Sequence, residues 1–310
     1  MNQQSVLPVV AGVDGSPAGE EAAHAAAGEA TRRGVPLHLL HAFHWPHRVL
    51  PGLPDGLDAR AAARRSVTAN LERVRTSLAE LLGSGQVSAA VLDGLADLVL
   101  QRESEAASLL VVGAAGLTWG RGPELGSVAE SVTATATCPV LVHRRLPSPE
   151  ADRQTVVVGV DGGPGTAAVL AAAAQEAQLR RRPLRVVHAW RQLTEDAAYA
   201  LRWRLDIEAT GSAEQSAVAD HVADLVRDHP ELSIESAVVP GRAGHVLVDA
   251  GRSAELVVVG VRPLGTAGEG ATTHSVLHRC SAPVLVVPVP SREADAELAW
   301  AAKAAGPSAG

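Results

Sequence analysis

Asp161 stands 147 residues after Asp14, and the two carry the same surroundings: Val9-Val10-Ala11-Gly12-Val13-Asp14-Gly15-Ser16-Pro17 recurs as Val156-Val157-Val158-Gly159-Val160-Asp161-Gly162-Gly163-Pro164. The same displacement relates His41-Ala42 to His188-Ala189, Gly94 to Gly241 and Val112-Gly113 to Val259-Gly260. Beyond that glycine the displacement falls to 144, from Gly126 to Gly270 and from Pro139-Val140-Leu141-Val142 to Pro283-Val284-Leu285-Val286. The chain is therefore one supersecondary pattern written twice, and the second copy has lost three residues from one loop. A length of 310 residues gives each copy enough chain to bury a core of its own.

Within the first copy, Val9 to Val13 is a short apolar run that ends in a turn, with Ser16 as helix N-cap, Pro17 in the first helical position and Gly34 as the stop. Leu37 to Phe43 reads as the second strand. Pro46 to Gly56 reads as loop, and Leu57 to Leu82 as a helix with Val67, Leu71, Val74, Leu78 and Leu81 on its apolar face. Val87 to Leu92 is the third strand, Gly94 opens a helix through Ala106, and Leu109 to Val112 is the fourth strand. A helix from Ser127 and a strand from Val140 to His143 close the copy. Short continuous apolar strands alternating with helices are what a parallel sheet covered on both faces requires. The expected fold is α/β: two tandem doubly wound, Rossmann-like domains, each a five-stranded parallel sheet flanked by helices. Their expected bounds are 1–146 and 153–288, joined by a linker near Leu146 to Gln154, with 289–310 a tail that is a short helix or disordered.

Aromatic residues make up only 2% of the chain, so aliphatic side chains must fill both cores. The net charge of −7 and the spread of the arginines argue against a nucleic-acid partner. Met1 to Val13 lacks the pattern of a secretory leader, and the Ala167–Ala174 run is far too short to span a bilayer. Cys138 and Cys280 lack the number for a disulfide scaffold and the spacing for a metal site, so they read as small buried residues in a reducing compartment. A cytoplasmic protein with no membrane partner is expected.

The stretch Gly113-Ala114-Ala115-Gly116 through Gly126-Ser127-Val128 carries the chemistry. Glycines let backbone approach a ligand, and the free N–H groups at the start of a helix attract phosphate. No Gly-Lys-Ser/Thr follows, and the only lysine is Lys303, so the loop is not a Walker A motif. Taken alone, Asp14 is a turn residue bonded to its own backbone; together with the downstream glycines it becomes a ligand contact. His38, His41, His44 and His47 recur every third residue, but side chains of a strand alternate between faces, so these histidines do not form a metal site.

The spaced glycines, Val13-Asp14-Gly15-Ser16 and the closing Pro-Val-Leu-Val strand resemble the universal stress protein family, in tandem, over residues 6–145 and 153–288. The resemblance implies a stress-response, adenine-nucleotide-binding protein, with ATP, with or without Mg²⁺, as the cofactor. It sets Gly113 and Gly116 against ribose and phosphates, Gly126, Ser127 and Val128 on the phosphates, and Asp14, in its turn with Gly15 and Ser16, on the adenosine beside Ala42 and Phe43. It also implies pairing of fifth strands, within one chain as a pseudo-dimer or between chains as a homodimer, and an unidentified regulatory protein as partner.

In the second copy Asp161, Gly260, Arg262 and Gly270 stand at matching positions, but Pro263 replaces the second glycine and Ala271 the serine. The loss of a donor and of a hydroxyl predicts a degenerate second site, to which Arg262 offers a charge. The favoured function is a nucleotide-responsive regulatory module. An ATP hydrolase is the rival reading, weakened by the missing P-loop lysine and carboxylate cluster and limited to slow turnover. A nucleotide-free scaffold is the third.

Overall fold

The structure is a computed structural model that describes residues 6–45, 58–116, 125–144, 154–190, 207–262 and 270–289. The expected loop Pro46–Gly56, the interior of the glycine loop at 117–124, Pro263, nearly all of the linker and the tail beyond Val289 lie outside the described residues. The chain divides into two compact units, Met1–Pro147 and Ser148–Gly310.

In the first unit, the elements are β1 (Val9–Gly12), α1 (Pro17–Arg33), β2 (Leu37–Phe43), α2 (Ala59–Leu82), β3 (Val87–Asp93), α3 (Ala96–Ser104), β4 (Leu109–Gly113), α4 (Ser127–Thr135) and β5 (Val140–His143). All five strands are parallel in the order β3-β2-β1-β4-β5, with Val9 opposite both Leu37 and Leu109, and Leu110 opposite Val140. The chain leaves β1 to one side, then returns across it to β4. The C-terminal ends of β1 and β4 therefore flank the crevice where such sheets bind ligands.

The local signals act as the sequence predicts. The Ser16 hydroxyl caps α1 by accepting from Gly19 N–H, Pro17 follows, and Gly34 ends the helix at φ 65°. The face of α1 toward the sheet is alanine, with Ala22, Ala23, Ala26 and Ala30 buried, and these small side chains let the helix lie close on β1 and β4. Leucines and valines fill the centre: Leu37, Leu39, Leu40, Leu109 and Leu110 are fully enclosed. Buried Glu29 pairs with Arg33 one turn on, which satisfies a charge that would otherwise be costly in the core.

Three expectations need correction. Leu81 is 73% exposed and Val67 only half-buried, so the buried face of α2 is Leu71, Val74 and Leu78. That helix starts at Ala59 because the Asp58 carboxylate caps it by accepting from Ala61 N–H. Gly94 does not open α3: its N–H donates to the Phe43 carbonyl and it turns the chain at φ 146°, so the helix runs from Ala96 only to Ser104.

The second unit repeats this plan with β6 (Thr155–Val160), α5 (Thr166–Arg180), β7 (Leu184–Trp190), α6 (Ile207–Asp228), β8 (Ile234–Pro240), α7 (Ala243–Ala250), β9 (Ala254–Val261), α8 (Ala271–Arg279) and β10 (Val284–Pro288). The strands are again parallel, in the order β8-β7-β6-β9-β10. The buried pair recurs as Glu176 with Arg180. Two differences follow directly from substitutions. Gly163 has no hydroxyl to match that of Ser16, and α5 starts at Thr166, two residues beyond the position equivalent to Pro17. Arg181 occupies the position of Gly34 and holds the same left-handed conformation, φ 54°, as a non-glycine residue. No helix of the described residues is long and apolar enough to cross a membrane.

Candidate functional site

At the β1–β4 crevice the structure opens a cavity of about 220 Å³. Of the residues expected at the site, Asp14, Ala42, Gly113, Gly116, Gly126, Ser127 and Val128 line it. They come from four separate stretches of chain: the turn after β1, the end of β2, the end of β4 and the first turn of α4.

Asp14 is held firmly. Its Oδ1 accepts from the Ser16 N–H at 2.9 Å and from the Ser16 hydroxyl at 2.6 Å, while Ser16 Oγ accepts from Gly19 N–H at 3.0 Å. The carboxylate faces Gly116: a Cβ there would stand 2.8 Å from Asp14 Oδ2. Only a residue without a side chain lets the two strand ends approach this closely. At the other end of the glycine loop, Ala114 N–H donates to the His143 carbonyl, and Gly126 N–H donates to the Ala114 carbonyl at 2.7 Å. The loop is thus pinned at its base, and α4 begins beside β4.

Gly126 is the N-cap of α4 and Ser127 its first helical residue. The helix begins at Ser127, where the sequence places its start. Gly126 supplies no side-chain acceptor, and the first intrahelical bond belongs to Glu130 N–H. The N–H groups of Ser127, Val128 and Ala129 therefore have no acceptor within the helix, and they point out of its positive end. That arrangement suits an anion.

Three expected residues do not line the cavity. Gly15 turns away at φ 85° and borders a separate crevice with Ser66 and Asn70. Ser16 is buried with its hydroxyl turned inward to Asp14 and the helix cap, so it positions and does not touch. Phe43 is buried, stacked on Trp45 with ring centroids 6.2 Å apart and with the Arg64 guanidinium 5.6 Å from its own centroid. Conversely, Gly19, Ala96, Leu100 and His41 line the cavity unanticipated. His41 Nδ1–H donates to the Val13 carbonyl at 2.7 Å, which leaves Nε2 as the unprotonated nitrogen. Burial is the main cause that lowers its pKa, against the opposing effects of that bond and of Asp14. The repeat was the available signal, since His188 Nδ1–H makes the same bond to Val160.

The second unit keeps a cavity of about 250 Å³ at the equivalent crevice, lined by Asp161, Gly260, Arg262 and Gly270. Asp161 Oδ1 accepts from Gly163 N–H at 2.9 Å, as Asp14 does from Ser16. Arg262 turns to this carboxylate, with Nη2 3.4 Å from Asp161 Oδ2. It lies across Gly163, where a Cβ would stand 2.7 Å from the guanidinium. The cavity of the second copy has therefore not collapsed; its polar groups are rearranged. Both cysteines are buried, and burial pushes the Cys138 thiol up to about 11, which favours the protonated thiol at neutral pH.

A family model described as the universal stress protein family matches residues 7–144 and 152–288. The chain belongs to this family. It is 30% identical over 292 residues to Universal stress protein Rv2623 of Mycobacterium tuberculosis, an alignment that covers 91% of this chain and 96% of that protein. Universal stress protein Rv2005c of the same organism is 29% identical over 293 residues, covering 90% and 96%. Among solved structures, a universal stress protein from Archaeoglobus fulgidus matches with a TM-score of 0.63 at 17% identity, over 91% of this chain and 98% of that one, which shows the family fold along the tandem. A universal stress protein solved in complex with cAMP is 25% identical and covers 44% of this chain and 97% of its own, with a TM-score of 0.35.

Proposed function

We propose that the first unit binds an adenine nucleotide, ATP in the leading case, and that occupancy makes this family member a nucleotide-responsive regulator. The observation that supports it most directly is the convergence of Asp14, Ala42, Gly113, Gly116 and the open N-terminus of α4 on one cavity at the point where the strand order reverses, between β1 and β4. Asp14, fixed by Ser16, receives a donor of the adenosine moiety; Gly116 leaves room for the sugar; the N–H groups of Ser127 to Ala129 and the Ser127 hydroxyl take the phosphates. Asp14 is the one carboxylate lining the cavity among the described residues, and Ser16 already occupies its Oδ1. A magnesium ion accompanying ATP draws its ligands mainly from phosphate and water in such a site. Regulation requires that a partner bind the occupied and empty forms differently.

Equilibrium dialysis of the full chain with labelled ATP tests this reading. Gly126→Asp places a carboxylate against the phosphates and abolishes binding to the first unit. Ser127→Ala removes one hydroxyl and weakens binding by about fivefold, the equivalent of roughly 1 kcal/mol. Wild-type affinity in both variants, with unchanged circular dichroism, refutes the site.

A further inference from the structure

The second cavity keeps the carboxylate, Asp161 for Asp14, but differs from the first at four positions around it. Thr166 stands where the first unit has Gly19, Arg262 where it has Ala115, and Thr272 and Thr273 where it has Val128 and Ala129. Thr166 is 2% exposed and lines the cavity, and its Oγ1 has no hydrogen-bond partner among the described residues. A buried hydroxyl is desolvated at a cost, and a cavity that keeps one unpaired is built for a ligand atom that pairs with it. Thr273, by contrast, is committed, its hydroxyl donating to the Gly260 carbonyl at 3.0 Å. The nine-residue helix α8 has no side-chain cap and opens beside Arg262, with His274 N–H making the first intrahelical bond and the N–H groups of Ala271, Thr272 and Thr273 preceding it. The remaining wall is aliphatic: Val160, Val169, Leu247 and Val289.

The charge balance selects the ligand. Among the described residues that line the cavity, Arg262 brings one positive charge and Asp161 one negative, so the attraction these residues leave for an anion is the partial charge of the helix end plus whatever share of Arg262 is released from its partners. That accommodates one negative charge; a phosphate monoester carries about −1.5 to −2 at neutral pH, and a triphosphate more. A carboxylate matches the guanidinium fork geometrically as well as in charge. A cavity of about 150 Å³ already suffices for a benzene ring, and this one is about 250 Å³.

We propose that the second unit binds a small organic monocarboxylate with an apolar body: the carboxylate lies between Arg262 and the N-terminus of α8, the Thr166 hydroxyl donates to it or to a neighbouring polar atom of the ligand, and the valine–leucine wall holds the body. The site goes beyond the nucleotide reading of the first unit and does not depend on it. Nucleotide and carboxylate are recognised by different units of one chain, so the protein reports on two small molecules.

Calorimetric titration of the full chain carrying Gly126→Asp, which silences the first cavity, uses benzoate and isovalerate as probes, with AMP, ATP and inorganic phosphate as comparison arms. At least one carboxylate binds, and more tightly than all three comparison ligands. Arg262→Gln weakens it roughly tenfold, Arg262→Lys by less because the charge survives without the fork, and Thr166→Val weakens it about threefold while raising the unfolding midpoint of the ligand-free protein. No carboxylate binding, tighter binding of AMP or ATP, or carboxylate affinity unchanged in both folded Arg262 variants overturns the proposal. A failure in the ATP experiment on the unmodified chain concerns the first cavity and leaves this one standing.

Discussion

Replacing Ser16 by alanine removes one oxygen that does two jobs. Ser16 is 4% exposed, and its hydroxyl accepts from Gly19 N–H at the start of α1 while donating to Asp14 Oδ1 at 2.6 Å. Loss of an N-cap acceptor costs about 1 kcal/mol, within a range of roughly 0.5–2. Gly19 is buried, so its N–H is left without water as a substitute, which puts the cost at the upper part of that range. The lost bond to a charged acceptor adds to this, although Asp14 keeps the Ser16 backbone N–H at 2.9 Å. The expected total is about 2 kcal/mol, or a fall of about 4–8 °C in the unfolding midpoint of a unit this size. Differential scanning calorimetry of the full chain reads it, with the cycle Ser16→Ala, Asp14→Asn and the double variant isolating the Ser16–Asp14 coupling at about 1 kcal/mol. Ser16→Ala also loosens Asp14 and lowers ATP affinity without touching the cavity wall. A midpoint shift below about 1 °C, or strictly additive single variants, refutes the argument that one hydroxyl joins the helix cap to the candidate ligand carboxylate.

Two further outcomes follow from the same geometry. His38, His41 and His143 each have a pKa lowered from 6.5, in every case chiefly by burial. The unfolded chain therefore binds more protons than the folded one as pH falls through 6.5, so stability is fully present above that value and declines below it, levelling off once the folded-state values are passed. Urea midpoints measured between about pH 8 and pH 5 should drop on the acid side, and His41→Asn should flatten part of that slope; a midpoint constant over this span contradicts the assignment. At the end of α5, Arg181 holds φ 54° where the first unit has glycine, with its side chain exposed. Arg181→Gly relieves the left-handed strain and raises stability by about 1 kcal/mol, or about 2–4 °C in the melting midpoint, whereas Gly34→Ala loses a similar amount; a destabilised Arg181→Gly protein contradicts this account.

Much of the fold was legible because its signals are local. The alternation of apolar runs with capped helices gave β2 as Leu37–Phe43, β5 as Val140–His143 and α1 from Pro17 to Arg33, since Ser16, Pro17 and Gly34 act on their own neighbours. Where a distant partner intervened, the reading failed. By its sequence Gly94 is a helix start, but its N–H bonds to Phe43 across the edge of the sheet, and the chain turns there. Leu81 fits the apolar period of α2, yet it sits in the last turn of the helix, exposed.

The repeat, the α/β class, the two copies and the identity of the glycine loop belong to the sequence, because they rest on periodicity and on residue types whose preferences are intrinsic to the backbone. The tertiary structure alone decided how the polar groups meet. Ser16 and Phe43 sit beside cavity residues in the chain but turn into the core, while Gly19, His41 and Leu100 arrive from other elements. Arg262 and Asp161 are 101 residues apart and meet only because β6 and β9 are neighbours and Gly163 leaves the space open. A substitution read singly, serine to glycine or glycine to threonine, appears as loss or noise. Packed together, Gly163, Thr166 and Arg262 rebuild a cavity with a different charge and an unpaired hydroxyl, because side chains close in space share one electrostatic balance that sequence separation does not express.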